Sequence, residues 1–113
     1  MKYTIDLFKT LSDETRLRII NLLSGGELCV CDLNHSLGIP QSTVSRHLAH
    51  LKNIGIIANR RSKTWVYYRL SEDVQPLVGE ILAVLTRHLS KIAQIQKDLD
   101  ALQSYKNNPE RSC

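Results

Sequence analysis

The apolar positions of this chain fall into five helical stretches, interrupted once by a change of period. Ile5, Phe8 and Leu11 recur at helical spacing and predict a short first helix. In "SDETRLRIINLLSGG", Leu17, Ile20 and Leu23, with Ile19 flanking, make the stripe of a second helix. Ser12 or Asp13 supplies its cap, and Gly25 and Gly26 end it. A third helix is expected from Cys29 or Val30 to Leu37, on the stripe Val30, Leu33 and Leu37. Gly38, Ile39 and Pro40 break the chain tightly. A fourth helix, "QSTVSRHLAHLKNIG", turns Val44, Leu48 and Leu51 inward and closes at Gly55.

The period then shortens. "IIANRRSKTWVYYRL" predicts two short strands, about 56–59 and 65–69, around a basic tip. From about 73 to 105 the helical period returns. Val78, Leu85, Ile92 and Leu99 recur every seven residues, with Ile81, Ile95 and Leu102 in companion positions and His88 the one polar intrusion. A heptad seam of that length wants a partner helix. We therefore expect a dimer, with Val78, Ile81, Leu85, Ile92 and Leu99 on the seam. Residues 1–105 form one domain in this reading, and 106–113 a flexible tail.

The fold class that follows is mainly α with a small β-hairpin. A short helix, a glycine-containing turn, a second helix and a hairpin succeed one another in the order of a winged helix-turn-helix. At 113 residues the chain fits one small domain, and its 42% hydrophobic and 23% charged residues are ordinary for a globular protein. No apolar run approaches the roughly 20 residues that span a bilayer. The charged N-terminus lacks a signal-peptide core, so a cytoplasmic protein with no membrane partner is expected.

Charge sharpens the picture. The net charge of +4 is mild, but between Asp32 and Glu72 every charged residue is basic: Arg46, Lys52, Arg60, Arg61, Lys63 and Arg69. A one-signed stretch inside a folded domain is the footprint of a polyanion. On the fourth helix Gln41, Ser42, Thr43, Ser45 and Arg46 suit base edges and phosphates of double-stranded DNA, and His47 and His50 suit its backbone. Arg60, Arg61 and Lys63 would sit at the hairpin tip, against phosphate or the minor groove.

Two of the three cysteines lie one residue apart in "ELCVCDL". An odd count and so short a spacing do not suit a secreted disulfide scaffold. Soft thiolates select soft ions, and a helix N-terminus favours the Cys29 thiolate. If both residues are helical, the chain turns by roughly 200° between them and the thiols diverge. A single ion with bonds of roughly 2.3 Å needs its sulfurs roughly 4 Å apart, so ligation would distort the first turn of the third helix.

The blocks "LSDETRLRIINLL", "ELCVCDL", "STVSRHLAHLKNIGII" and "WVYYRL", in this order, resemble the ArsR/SmtB family of metal-sensing bacterial repressors. The resemblance covers roughly residues 5 to 100. It implies a winged-helix homodimer joined through its first and last helices, which binds an operator and leaves when a toxic metal or metalloid binds. "ELCVCD" resembles the arsenic- and antimony-sensing branch, with arsenite or antimonite as inducer at Cys29 and Cys31 and no catalytic cofactor. A cadmium and lead branch carries nearly the same motif but adds cysteines from an N-terminal extension, whereas this sequence starts at Met1-Lys2-Tyr3. Arsenic-sensing relatives often carry a third cysteine three residues after the second. Here that position is Asn34, so a third sulfur comes from Cys113, from a small cellular thiol, or does not exist. Asp73, Gln75 and His88 do not complete the zinc site of the last helix found in other relatives. Two further readings keep the DNA binding: a sensor of cadmium, lead or zinc, and an oxidant or persulfide switch at the thiol pair. A thiol-disulfide enzyme would need a βαβ context that the pattern lacks, so no enzyme is expected.

Overall fold

The computed structural model describes residues 1–109. Six helices and three strands follow one another: α1 (Lys2–Leu11), α2 (Glu14–Leu23), β1 (Leu28–Cys29), α3 (Val30–Leu37), α4 (Gln41–Asn53), β2 (Ile57–Ser62), β3 (Trp65–Leu70), α5 (Pro76–Leu89) and α6 (Ala93–Asn107). The sheet is antiparallel in the order β1-β3-β2. The expected hairpin is present, and β1 adds a third strand to it.

The core forms where the apolar stripes of α2, α3 and α4 meet. Ile19, Ile20, Leu33, Val44, Leu48 and Leu51 are all fully buried. Truncating one of these leucines to alanine typically costs about 2–5 kcal/mol. Local chemistry sets the helix ends. The Asp13 side chain accepts from the Arg16 amide at 3.0 Å and caps α2. Gly38 ends α3 in the left-handed region at φ 68°, where a side chain would be strained. Pro40 then opens α4 from extended backbone.

Three expectations are corrected. The first helix has the expected spacing, but Ile5 and Phe8 are exposed and Leu7 and Leu11 point to the core. The stretch 73–105 is not one helix. It breaks at 90–92, where Ile92 adopts extended backbone before α6. The Ser90 hydroxyl donates to the Arg87 carbonyl at 2.7 Å and helps satisfy the end of α5. The break lets α6 fold back onto α2 and α3, which buries Ile95 and Asp98.

The seam assigned to a partner is therefore divided. Val78 is fully buried in the protomer's own core, while Ile81, Leu85 and Leu99 pack against that core half-buried. Ile92, at the break, is exposed. Lys106 and Asn107 belong to α6, and residues 110–113 lie outside the described residues.

Candidate nucleic-acid interface and thiol site

α3 and α4 form the two helices of a helix-turn-helix, joined through Gly38, Ile39 and Pro40. Because Val44, Leu48 and Leu51 are buried, the opposite face of α4 is turned outward. Gln41, Ser42, Ser45, Arg46 and His50 are exposed on it, and Thr43 and His47 are half-buried beside them. His47 is held from below: Arg16 Nε on α2 donates to its Nδ1 at 3.1 Å. Burial lowers the pKa of this imidazole, Asp13 opposes the shift, and Arg16, Arg46 and His50 add to it.

The hairpin differs from its expected form. β2 runs on through Ser62, so Arg60 and Arg61 are strand residues and only Lys63 lies in the turn. Lys63 takes φ 58°, the left-handed conformation that a two-residue hairpin turn requires. Arg61 and Lys63 are exposed. Arg60 does not project from a tip. Its Nε and Nη2 donate to both carboxylate oxygens of Glu27, at 2.7 to 3.0 Å, and its guanidinium lies 4.7 Å from the centroid of the Tyr67 ring. That pair holds the Glu27 carboxyl below its ordinary pKa.

The cysteine pair straddles a junction. Cys29 is the last residue of β1 and the N-cap of α3, in extended backbone at φ −87° and ψ 168°. Cys31 lies in the first turn of α3. The expectation of two helical cysteines is thus corrected at Cys29, because the segment before Val30 pairs with the hairpin: Leu28 lies opposite Tyr68 and Cys29 opposite Tyr67. A capping box closes the junction, with Asp32 Oδ2 accepting from the Cys29 amide at 3.1 Å and the Cys29 sulfur facing the Asp32 amide. The expected thiolate is also corrected. Burial pushes the Cys29 thiol pKa up, and the Asp32 carboxylate adds to the rise against the pull of the Asp32 and Cys31 amides.

Cys31 lines a cavity of about 320 Å³ together with Val30, Gln41, Thr64, Trp65 and Val66. The cavity therefore joins the region of Cys31, the start of α4 and the turn end of the hairpin. Asn34, one turn after Cys31, has a buried Oδ1 without a hydrogen-bond partner among the described residues. His35 is exposed and stacks on Tyr105 of α6, ring centroids 4.0 Å apart. Among the described residues no three His, Cys, Asp or Glu side chains cluster as a metal site would require. Cys113 lies outside the described residues. No helix among the described residues is long and apolar enough to cross a membrane.

Sequence reasoning missed two contributors to this region. Glu27 sits just before the thiol motif and reads as an ordinary surface acid. Asp98 reads as a polar position on a helix, yet it is 1% exposed and binds Arg18 of α2, which also donates to the Leu37 carbonyl at the end of α3. An arginine and an aspartate 80 residues apart carry no local signal.

Comparison with known proteins agrees with this architecture. Residues 13–59 match the family described as bacterial regulatory protein, arsR family. The arsenical resistance operon repressor of Escherichia coli strain K12 is 41% identical over 111 residues, 96% of this chain and 94% of that protein. The arsenic resistance transcriptional regulator ArsR2 of Pseudomonas putida is 49% identical over 80 residues, 70% of each chain. Among solved structures, the homodimeric winged helix-turn-helix DNA-binding domain Mb0332 from Mycobacterium bovis superposes with a TM-score of 0.65 at 33% identity, covering 79% of this chain and 83% of that one. These relatives are transcriptional regulators and not enzymes. The chain belongs to the arsR family of bacterial regulatory proteins and is a winged-helix transcriptional repressor.

Proposed function

We propose that this repressor binds its operator as a homodimer in the cytoplasm and is released when arsenite or antimonite binds Cys29 and Cys31. The observation that carries the reading is the position of the pair. Cys29 ends a strand of the hairpin's sheet, and Cys31 lies in the first turn of the helix that leads through Gly38 into α4. A ligand held by both thiols pulls on the two DNA-facing elements at once. Relatives named for arsenical resistance support the choice of inducer.

Trivalent arsenic is soft and takes sulfur readily. With both sulfurs held reduced by a small cellular thiol, each As–S bond forms as an As–O bond breaks, and the thiol proton leaves with the hydroxyl group as water. Because Cys29 is already extended, ligation need not unwind an interior turn. It acts at the β1–α3 junction, which the Asp32 capping box closes. By linkage, the operator-bound form then binds the metalloid more weakly. A third sulfur, where one takes part, comes from Cys113 or an external thiol.

On the DNA side, Gln41, Ser42, Thr43, Ser45, Arg46, His47 and His50 face the major groove, and Arg61 and Lys63 reach phosphate. The partner subunit packs on α1 and α5. Ile5 (47%), Phe8 (54%), Leu77 (42%) and Val84 (47%) leave apolar surface exposed there in the single chain.

The test is anisotropy of labelled promoter DNA with wild-type protein and the Cys29→Ser/Cys31→Ser variant, each titrated with arsenite under reducing conditions. Release of the wild type alone supports the reading. Retention of both rejects arsenite as inducer and returns cadmium, lead, zinc and oxidants as candidates.

A further inference from the structure

Three residues form one row across the sheet. Cys29 of β1 lies opposite Tyr67 of β3, and Tyr67 lies opposite Arg60 of β2. Residues paired across adjacent strands project their side chains to the same face. Arg60 then closes the row on itself. It lies over the Tyr67 ring and grips Glu27, two residues before Cys29. One donor edge of the guanidinium, Nε with Nη2, is taken by that carboxylate, and the face of the group lies over the Tyr67 ring.

We propose that Arg60 is a positioning residue of the DNA-binding wing: it locks the hairpin to the strand that carries Cys29, and it transmits occupancy of the thiol site to the operator. The positioning part stands on the sheet alone. The transmission part rests on the sensing function proposed above. Arg60 reaches DNA through the placement of Arg61, next to it on the same strand, and of Lys63 in the turn. A shift of Cys29 on ligation moves Tyr67 opposite it and Glu27 beside it, so the hairpin moves with the strand.

The two possible roles of Arg60 predict opposite signs. If Arg60 were a phosphate contact, Glu27→Gln would release it and tighten operator binding. Arg60→Lys would keep its charge and its contact. Arg60→Gln would lower the slope of log K against log salt by about 0.9. As a positioning residue it behaves otherwise. Lysine has neither the planar fork nor the stacking surface, so Arg60→Lys fails like Arg60→Gln. Glu27→Gln weakens operator binding in the same direction, each by up to about fivefold, the scale of one exposed ion pair.

The experiment measures operator affinity by anisotropy at several salt concentrations for wild type, Arg60→Gln, Arg60→Lys, Glu27→Gln and the double variant Arg60→Gln/Glu27→Gln. Circular dichroism checks that each folds. Arsenite is then titrated into each complex under reducing conditions. We expect parallel losses in the single variants, a double variant no worse than the weaker single, an unchanged salt slope, and a smaller arsenite-induced release in every variant. Tighter binding by Glu27→Gln, or a slope lowered by Arg60→Gln and restored by Arg60→Lys, overturns the positioning role. Equal arsenite release in wild type and variants overturns the transmission. A wild type that arsenite does not release defeats the sensing function and the transmission with it, while the salt and affinity series still decides what Arg60 does.

Discussion

Arg18 and Asp98 form a two-point ion pair across the middle of the molecule. Arg18 Nε meets Asp98 Oδ2 at 2.9 Å, and Nη2 meets Oδ1 at 2.8 Å. The same Nη2 donates to the Leu37 carbonyl at 3.0 Å, at the last residue of α3. Gln94 supplies a further bond to Asp98 at 3.0 Å. One guanidinium thus ties α2, the end of α3 and α6 together, one residue before the turn into α4. The pairing holds the Arg18 pKa above its ordinary value.

Asp98 is 1% exposed, so removing it strands a charge in the interior. Asp98→Ala is expected to lose about 3–5 kcal/mol of stability, the usual cost of breaking a buried pair from one side. Urea unfolding at pH 7 measures it. A loss below about 1 kcal/mol would mean that water reaches Arg18 and takes over from the carboxylate.

Asn34 carries a buried carbonyl oxygen that has no partner among the described residues, one turn beyond Cys31. Replacing it with cysteine removes that orphan and adds a soft donor on the same helix face. Asn34→Cys is expected to tighten arsenite binding by roughly tenfold or more, one decade being about 1.4 kcal/mol. Competition against a small dithiol reads the affinity. An unchanged value would show that position 34 faces away from the bound ion.

His47 gives a pH dependence whose sign follows from its environment. Its folded-state pKa is lowered, chiefly by burial, with Arg16, Arg46 and His50 adding positive charge and Asp13 opposing. The unfolded chain therefore takes up the proton first as pH falls through about 6.5. Stability is full above that pH and declines below it, as the bond from Arg16 loses its acceptor. His47→Gln should flatten this dependence. Urea midpoints of both proteins at pH 8 and pH 5.5 test it, and parallel losses would assign the acid sensitivity elsewhere.

Arg46 and Arg61 should fail in different ways. Arg46→Ala on the exposed face of α4 is expected to weaken the operator by about 1–3 kcal/mol more than random DNA. Arg61→Ala on the hairpin should weaken both equally and lower the salt slope by about 0.9. Equal losses for Arg46→Ala on both DNAs would reduce it to a backbone contact.

The helix-turn-helix was legible in the sequence because its signals are local. Val44, Leu48 and Leu51 share one face of α4, and Gly38 and Pro40 punctuate the turn that precedes it. The hairpin was legible from Trp65, Val66, Tyr67 and Tyr68. Three features were not. The break at 90–92 has neither proline nor glycine, and a seven-residue repeat runs straight through it; only the burial of Ile95 and Asp98 against α2 and α3 explains the fold-back. β1 is two residues long and exists because β3 is there to pair with it, so no periodicity announces it. Cys29 was misplaced into the helix for that reason. Arg60 was read from composition as one of three cations at a tip, and its partner lies 33 residues earlier in the chain.

The cavity beside Cys31 has a practical consequence. Trp65 lines it and is the only tryptophan in the chain. The residue is 39% exposed, so its emission responds to whatever changes the packing or wetting of that wall. Ligation at the neighbouring sulfur should therefore be visible as a change in intrinsic fluorescence, without label or DNA. The repressor carries its own optical gauge, and a Trp65→Phe control would show whether the signal comes from that wall.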